Sequence, residues 1–172
     1  ANAYINSFSI SDALKTGANI ILAGRVSDPG LVLGPAIYEF GWKIDDYDKL
    51  AAGTLAGHIL ECGAQCSGGN FTDWKNIPNL DNVGYPVAIL SDDTTFQITK
   101  PKNTGGKINR YTIIEQVLYE MGDPKNYISP DVVVDFTSFS INEINNDIVE
   151  ISGVKGYPAT DTYKVSINYF NG

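Results

Sequence analysis

With 172 residues, 43% of them hydrophobic and 11% aromatic, the chain is long enough to bury one domain-sized core, which excludes a disordered segment. A formal charge of −8 and a pI near 4.5 exclude nonspecific nucleic-acid binding, because phosphate contacts need a basic field. No apolar run approaches the ~20 residues that cross a bilayer, so a soluble protein without a membrane partner is expected.

Two cysteines four positions apart do not make the disulfide framework of a small secreted domain, and reduced thiols in a cytoplasm are expected. The opening "ANAYINSFSI" carries no methionine and no basic-then-apolar leader pattern. The close "INYFNG" is an aromatic run in strand-like alternation. Both ends read as continuing into something larger.

In chain order, "SISDALKTGAN" predicts a short helix with Ser9 or Ser11 as cap, an apolar face of Ile10, Ala13 and Leu14, and a stop at Gly17. "ANIILAGR" is a continuous apolar run and predicts a strand buried on both faces of a parallel sheet. Asp28-Pro29-Gly30 is a turn signal before a helix in which Pro35 suits only the first turn. The longest helix is expected from about Asp46 to Gln65, acidic at its start as the macrodipole prefers. The Asn- and Pro-rich stretch after Gly69 reads as a surface connection.

"VAILSDDTTFQITK" predicts a hairpin around Asp92-Asp93. "NRYTIIEQVLYEMGDP" predicts a helix capped by Asn109, with Gly122 past its end. Beyond Pro130 the sequence is rich in Val, Ile, Thr, Tyr and Phe with turns at Asn145-Asn146-Asp147 and Gly156-Tyr157-Pro158, a run of strands. The expected fold is α/β, with a mostly parallel sheet flanked by helices over residues 1–128 and a β-rich continuation over 129–172.

The densest chemistry lies in "LAAGTLAGHILECGAQCSGGNF", residues 50–71. On a helix at 100° per residue with His58 at the origin, Gly53, Gly57, Leu60 and Ala64 fall between about 200° and 260°, a small-residue stripe for close backbone approach. His58, Glu61, Cys62, Gln65 and Cys66 fall on the opposite side, between about 300° and 80°. A thiolate nucleophile, a metal site and plain burial of the cysteines all compete here. The geometry of His58 and Cys62 on one straight helix is poor for a catalytic pair. The spacing matches neither structural zinc nor the His-Glu-x-x-His helix. Glu61 and Gln65 are costly to bury without partners, which points to a site, with Glu61 as its general acid or base and Gln65 and Cys62 beside it.

Two loops add candidates. In "GRVSDP", Arg25, one of two arginines in the chain, can pair with a ligand carboxylate or phosphate near Asp28, or with Asp28 itself. "KPKNTGGKINR" gathers Lys100, Lys102, Lys107 and Arg110, and its Gly105-Gly106 amides ahead of a helix read as a phosphate cradle or as a solvated basic turn. It lacks the full nucleoside-triphosphatase pattern, and no motif points to a metal or nucleotide cofactor.

Together "GANIILAGRVSDPGLVLGP", the 50–71 stretch, "ITKPKNTGGKI" and "TIIEQVLYEMGDPKNYISPDVVVDF" resemble the acyclic terpene utilisation family of AtuA type, as the later part of its N-terminal domain. The resemblance implies a cytoplasmic protein of acyclic terpenoid breakdown working near CoA thioesters, with an acyl-CoA-type ligand. It implies no catalytic residue. Arg25, Asp28, Glu61, Cys62, Gln65, Gly68, Gly69, Lys100, Thr104, Gly105 and Gly106 fall in its signature segments. Two functions are carried forward: a hydratase- or lyase-like enzyme on a CoA thioester, or a noncatalytic homo-oligomeric or partner subunit of a carboxylase or hydratase system. The enzymatic reading expects Glu61 and the Thr104 loop to share one hollow.

Overall fold

A computed structural model of the chain describes residues 1–170. The strand expected in "INYFNG" reaches Asn171 and Gly172, outside the described residues, and 167–170 carry no regular secondary structure. In chain order the elements are β1 (Asn2–Ala3), α1 (Phe8–Lys15), α2 (Gly30–Phe40), α3 (Tyr47–Leu60), β2 (Val87–Leu90), β3 (Phe96–Thr99), α4 (Arg110–Leu118), β4 (Tyr127–Ile128), β5 (Val133–Asp135), β6 (Ser140–Asn145), β7 (Ile148–Ser152), β8 (Lys155–Tyr157) and β9 (Val165–Ser166).

The sheets overturn the expected parallel architecture. They run β1-β9, β2-β3-β7-β6 and β4-β5-β8, and every strand pairing is antiparallel. Parallel contact is confined to two isolated bridges, Ile5 to Val26 and Val83 to Gly105. The error traces to "ANIILAGR". Residues 18–25 form no strand, and Ile20 and Leu22 are 82% and 96% exposed. A continuous apolar run reports only that a segment wants burial, whereas a strand needs backbone partners on its flanks. Here Val26 alone pairs, with Ile5. The real sheets use strands of a few residues joined by tight turns, a connection that closes antiparallel pairs and cannot make the long crossover of a parallel one.

Buried on all sides from Leu50 through Ile59, α3 is the core helix. Its small-residue stripe does what the sequence indicated. A Cβ on Gly53 would lie 2.7 Å from Leu33 Cδ1 of α2, and one on Gly57 would lie 2.5 Å from the Pro29 carbonyl oxygen, so α2 packs at backbone distance. The four-stranded sheet closes the core with Phe96, Ile98, Val149 and Ile151.

Helix ends differ from expectation where side chains found other partners. Ser7 precedes α1 without capping it, because its backbone N–H and hydroxyl both donate to the buried Asp131 carboxylate at 2.7 and 2.8 Å. Asn109 caps α4 as its sequence indicates, accepting from Tyr111 and Thr112 N–H at 2.9 Å each. That helix stops at Leu118, before Gly122, and Glu120 rather than a glycine takes the left-handed conformation, at φ 54°. The longest helix stops at Leu60 instead of Gln65, and a 3₁₀ turn at Gly63–Gln65 follows.

Candidate functional site

Ending α3 at Leu60 sets the chemistry, because Glu61 and Cys62 stand at the helix exit, where the backbone turns and side chains can leave the core. They form one wall of a cavity of about 660 Å³. The remaining walls are Ile10 and Leu14 of α1, the segment 21–28, the start of α2, and Tyr119 with Glu120 after α4. The lining is mostly aliphatic, and its charged groups are Asp28, Glu61 and Glu120, with no lysine or arginine. A mostly apolar hollow with a few convergent polar groups is the usual form of a small-molecule site.

Glu61 is the most constrained of these acids. Its side chain is 11% exposed, its Oε1 lies 3.4 Å from His58 Nδ1, and its Oε2 is buried without a partner. His58 is 2% exposed, and its Nε2–H donates to the Val117 carbonyl at 3.1 Å. The Nε2–H bond leaves Nδ1 facing a Glu61 oxygen across 3.4 Å without a hydrogen bond, so each side chain keeps an unpartnered buried polar atom. The His58 ring is fixed from two more sides: Tyr127 meets it edge-on at 5.6 Å and Phe136 is tilted against it at 5.5 Å, while Gln116 Nε2 donates to the His58 carbonyl.

The cysteines lie beside this pair as thiols. Burial pushes Cys62 above its ordinary value, with Gln116 opposing and the negative charges of Glu61, Glu120 and Asp28 adding to the rise. Burial alone pushes Cys66 up to about 12. Neither environment generates a thiolate at neutral pH. Among the described residues no three His, Cys, Asp or Glu side chains converge as a donor set for a metal ion.

The sequence candidates divide into two groups in space. Asp28, Glu61 and Cys62 line the cavity. Arg25 is exposed beside it, its guanidinium over the Tyr4 ring at 5.4 Å rather than on Asp28. Gln65 lies in the 3₁₀ turn, with its Oε1 buried and unpartnered, and is not part of the wall.

Gly68, Gly69, Lys100, Thr104, Gly105 and Gly106 belong to a second cluster outside the cavity wall. There the Gly105 N–H donates to Asn82 O and the Gly106 N–H to Pro78 O, both at 2.8 Å, and Lys107 N–H donates to Ser67 O at 2.9 Å. The Gly69 N–H donates to Ala64 O at 2.9 Å. Lys100 Nζ donates to Thr104 O at 2.9 Å and pairs with Asp147 at 3.2 Å. Amides that the sequence left free for an anion thus have internal acceptors.

Sequence reasoning missed His58 as the partner of Glu61, although the i, i+3 spacing that brings them together was visible. It did not single out Glu120, and the early end of α4 turns that residue and Tyr119 onto the cavity.

A small α+β domain with antiparallel sheets and one apolar, acid-walled cavity is the class that fold and site define. The chain belongs to the acyclic terpene utilisation family: the family model described as acyclic terpene utilisation family protein AtuA matches residues 1–172. No curated protein and no solved structure matches the chain. Among the described residues no helix is long and apolar enough to cross a membrane.

Proposed function

We propose that the chain is an enzyme of acyclic terpenoid or branched acyl-CoA catabolism, with Glu61 as the acid and base of a hydratase- or lyase-like reaction. The observation that carries the reading is a nearly buried carboxyl whose one oxygen faces His58 and whose other has no partner, on the wall of an apolar cavity. An aliphatic hollow suits a branched hydrocarbon chain, and a carboxyl with one unpartnered oxygen at its wall suits proton transfer to and from a bound ligand. Hydration of an α,β-unsaturated thioester needs little else. As the water oxygen bonds to Cβ, the pair takes one of its protons and returns one to Cα, and nothing is oxidised or reduced.

The test is loss of the enoyl absorbance of geranyl-CoA, with citronellyl-CoA, which lacks the α,β double bond, as control. Glu61→Gln keeps the shape and removes the transferable proton, so kcat falls by about 10²–10⁴ with little change in KM. Unchanged turnover in that variant, or none in the wild type, ends the assignment.

A noncatalytic role in a larger assembly is favoured by a different observation, the exposure of Leu22 and Leu31 at the cavity. It predicts co-purification with a thioester-processing enzyme and no calorimetric signal with CoA thioesters.

A further inference from the structure

We propose that Leu14 and Pro35 form the end stop of the Glu61 cavity, so that these two side chains set the length of the hydrocarbon chain it accepts. The proposal rests on the reading of the cavity as a site for an apolar chain and adds the residues that limit that chain. Both residues line the cavity of about 660 Å³, and both also line a second hollow of about 430 Å³, walled further by Val32, Ala36 and Phe40 of α2 and by Leu90 of β2. Side chains with a hollow on either side are a partition.

Two helices contribute one side chain each. Helices α1 and α2 pack closely at Ile10 and Gly34, where a Cβ on the glycine would lie 2.7 Å from Ile10 Cβ. Leu14 stands one turn beyond Ile10 on the same face of α1, and Pro35 directly follows Gly34. Leu14 is half-buried and Pro35 exposed, so the partition runs from the helix contact out to the surface. Pro35 lies inside α2, past its first turn, where a proline removes a helical hydrogen bond. Its ring weakens the helix and shapes both hollows.

The acid and the partition lie toward opposite ends of α2. Gly57 of α3 meets Pro29 at backbone distance, and Glu61 N–H donates to Gly57 O at 2.9 Å, which ties the acid to the start of α2. Pro35 comes six residues after Pro29, roughly 9 Å further at the rise of a helix. A chain whose reacting end is at Glu61 therefore points its far end at Leu14 and Pro35. Beyond them the second hollow is again mostly aliphatic, with Glu39 its one charged group. Shortening either side chain joins the two spaces and lets a longer chain continue.

The experiment displaces a hydrophobic fluorescent dye from the intact chain with straight-chain 1-alkanols from hexanol upward, neutral probes that an acidic lining does not repel. In the wild type, affinity is expected to rise about fourfold with each added methylene up to a limiting chain length and then to level off. Pro35→Ala and Leu14→Ala are each expected to move that limit to longer chains with hexanol affinity unchanged, and Leu14→Trp to shorter ones. Pro35→Ala also improves the helix, so it carries the test if Leu14→Ala perturbs α1. Adding Leu90→Trp, which fills the second hollow, to Pro35→Ala is expected to restore the wild-type limit; a limit that stays long there places the added length elsewhere and overturns the proposal. The same limit in Pro35→Ala and Leu14→Trp as in the wild type, or a wild type that binds no alkanol, also overturns it. Failure of the acid–base reading is separate. If Glu61→Gln keeps turnover of geranyl-CoA while the limit moves, the chemistry is wrong and the partition stands; if turnover is lost and the limit does not move, the partition alone is wrong.

Discussion

His58 has two ring nitrogens, and only one of them has a neutral partner. The other faces Glu61 across 3.4 Å without a hydrogen bond, so burial of the imidazole and of the carboxyl leaves a polar atom of each uncompensated. The same accounting, applied to Asp131, gives a different result. That carboxylate is 4% exposed, accepts two hydrogen bonds from Ser7, and meets no cation; desolvation raises its pKa, against the opposing Ser7 bonds. A carboxyl whose folded pKa is raised stabilises the fold fully only below the ordinary unfolded value, and this contribution is lost as pH rises through the folded value. Asp131→Asn keeps an acceptor for the Ser7 N–H and offers the hydroxyl a donor, without the charge. The variant is expected to be more stable than wild type at pH 7, on the order of 1 kcal/mol per unit of the relieved shift, with the difference vanishing near pH 3. Thermal melts across that range measure it; a variant less stable at neutral pH contradicts the account.

At the scale of elements, the loop from Lys100 to Gly106 has the composition of an anion site and the hydrogen bonding of a structural turn. Its lysine side chain is 6% exposed, is held by Asp147, and donates to Thr104 O, and its glycine amides are bonded to Pro78 and Asn82. Lys100→Ala removes the partner of a part-buried carboxylate and a donor to a backbone carbonyl. The expected result is a loss of about 1–3 kcal/mol in stability with CoA affinity unchanged, read by denaturant unfolding and calorimetry. Weaker CoA binding at unchanged stability returns the loop to the ligand site. The ends of α3 and α4 shape the cavity instead, since each helix stops early and brings an acid to its wall. Periodicity carried both helices too far, because it continues as long as residues alternate suitably, whereas a helix ends where competing contacts of the terminal residues prevail.

Across the whole molecule, Ile20 and Leu22 lie at the surface instead of in a sheet, and Ile21 and Leu22 line the cavity that the acids face. Leu22 is 96% exposed, so Leu22→Ser changes stability by no more than about 0.5 kcal/mol. It is expected to reduce binding of a hydrophobic fluorescent dye and of long-chain thioesters; unchanged binding of both removes this segment from the site. Local order fixed the hairpin at Asp92-Asp93, the Asn109 cap, the glycine stripe that draws α2 onto α3, and the family, because each depends on neighbours within a few residues or on the order of residues itself. Strand direction, the approach of His58 to Glu61 and the internal use of the Gly105-Gly106 amides were decided only in three dimensions. Each depends on which distant backbone supplies a partner, and a linear pattern of apolar and charged residues states a need for partners without naming them.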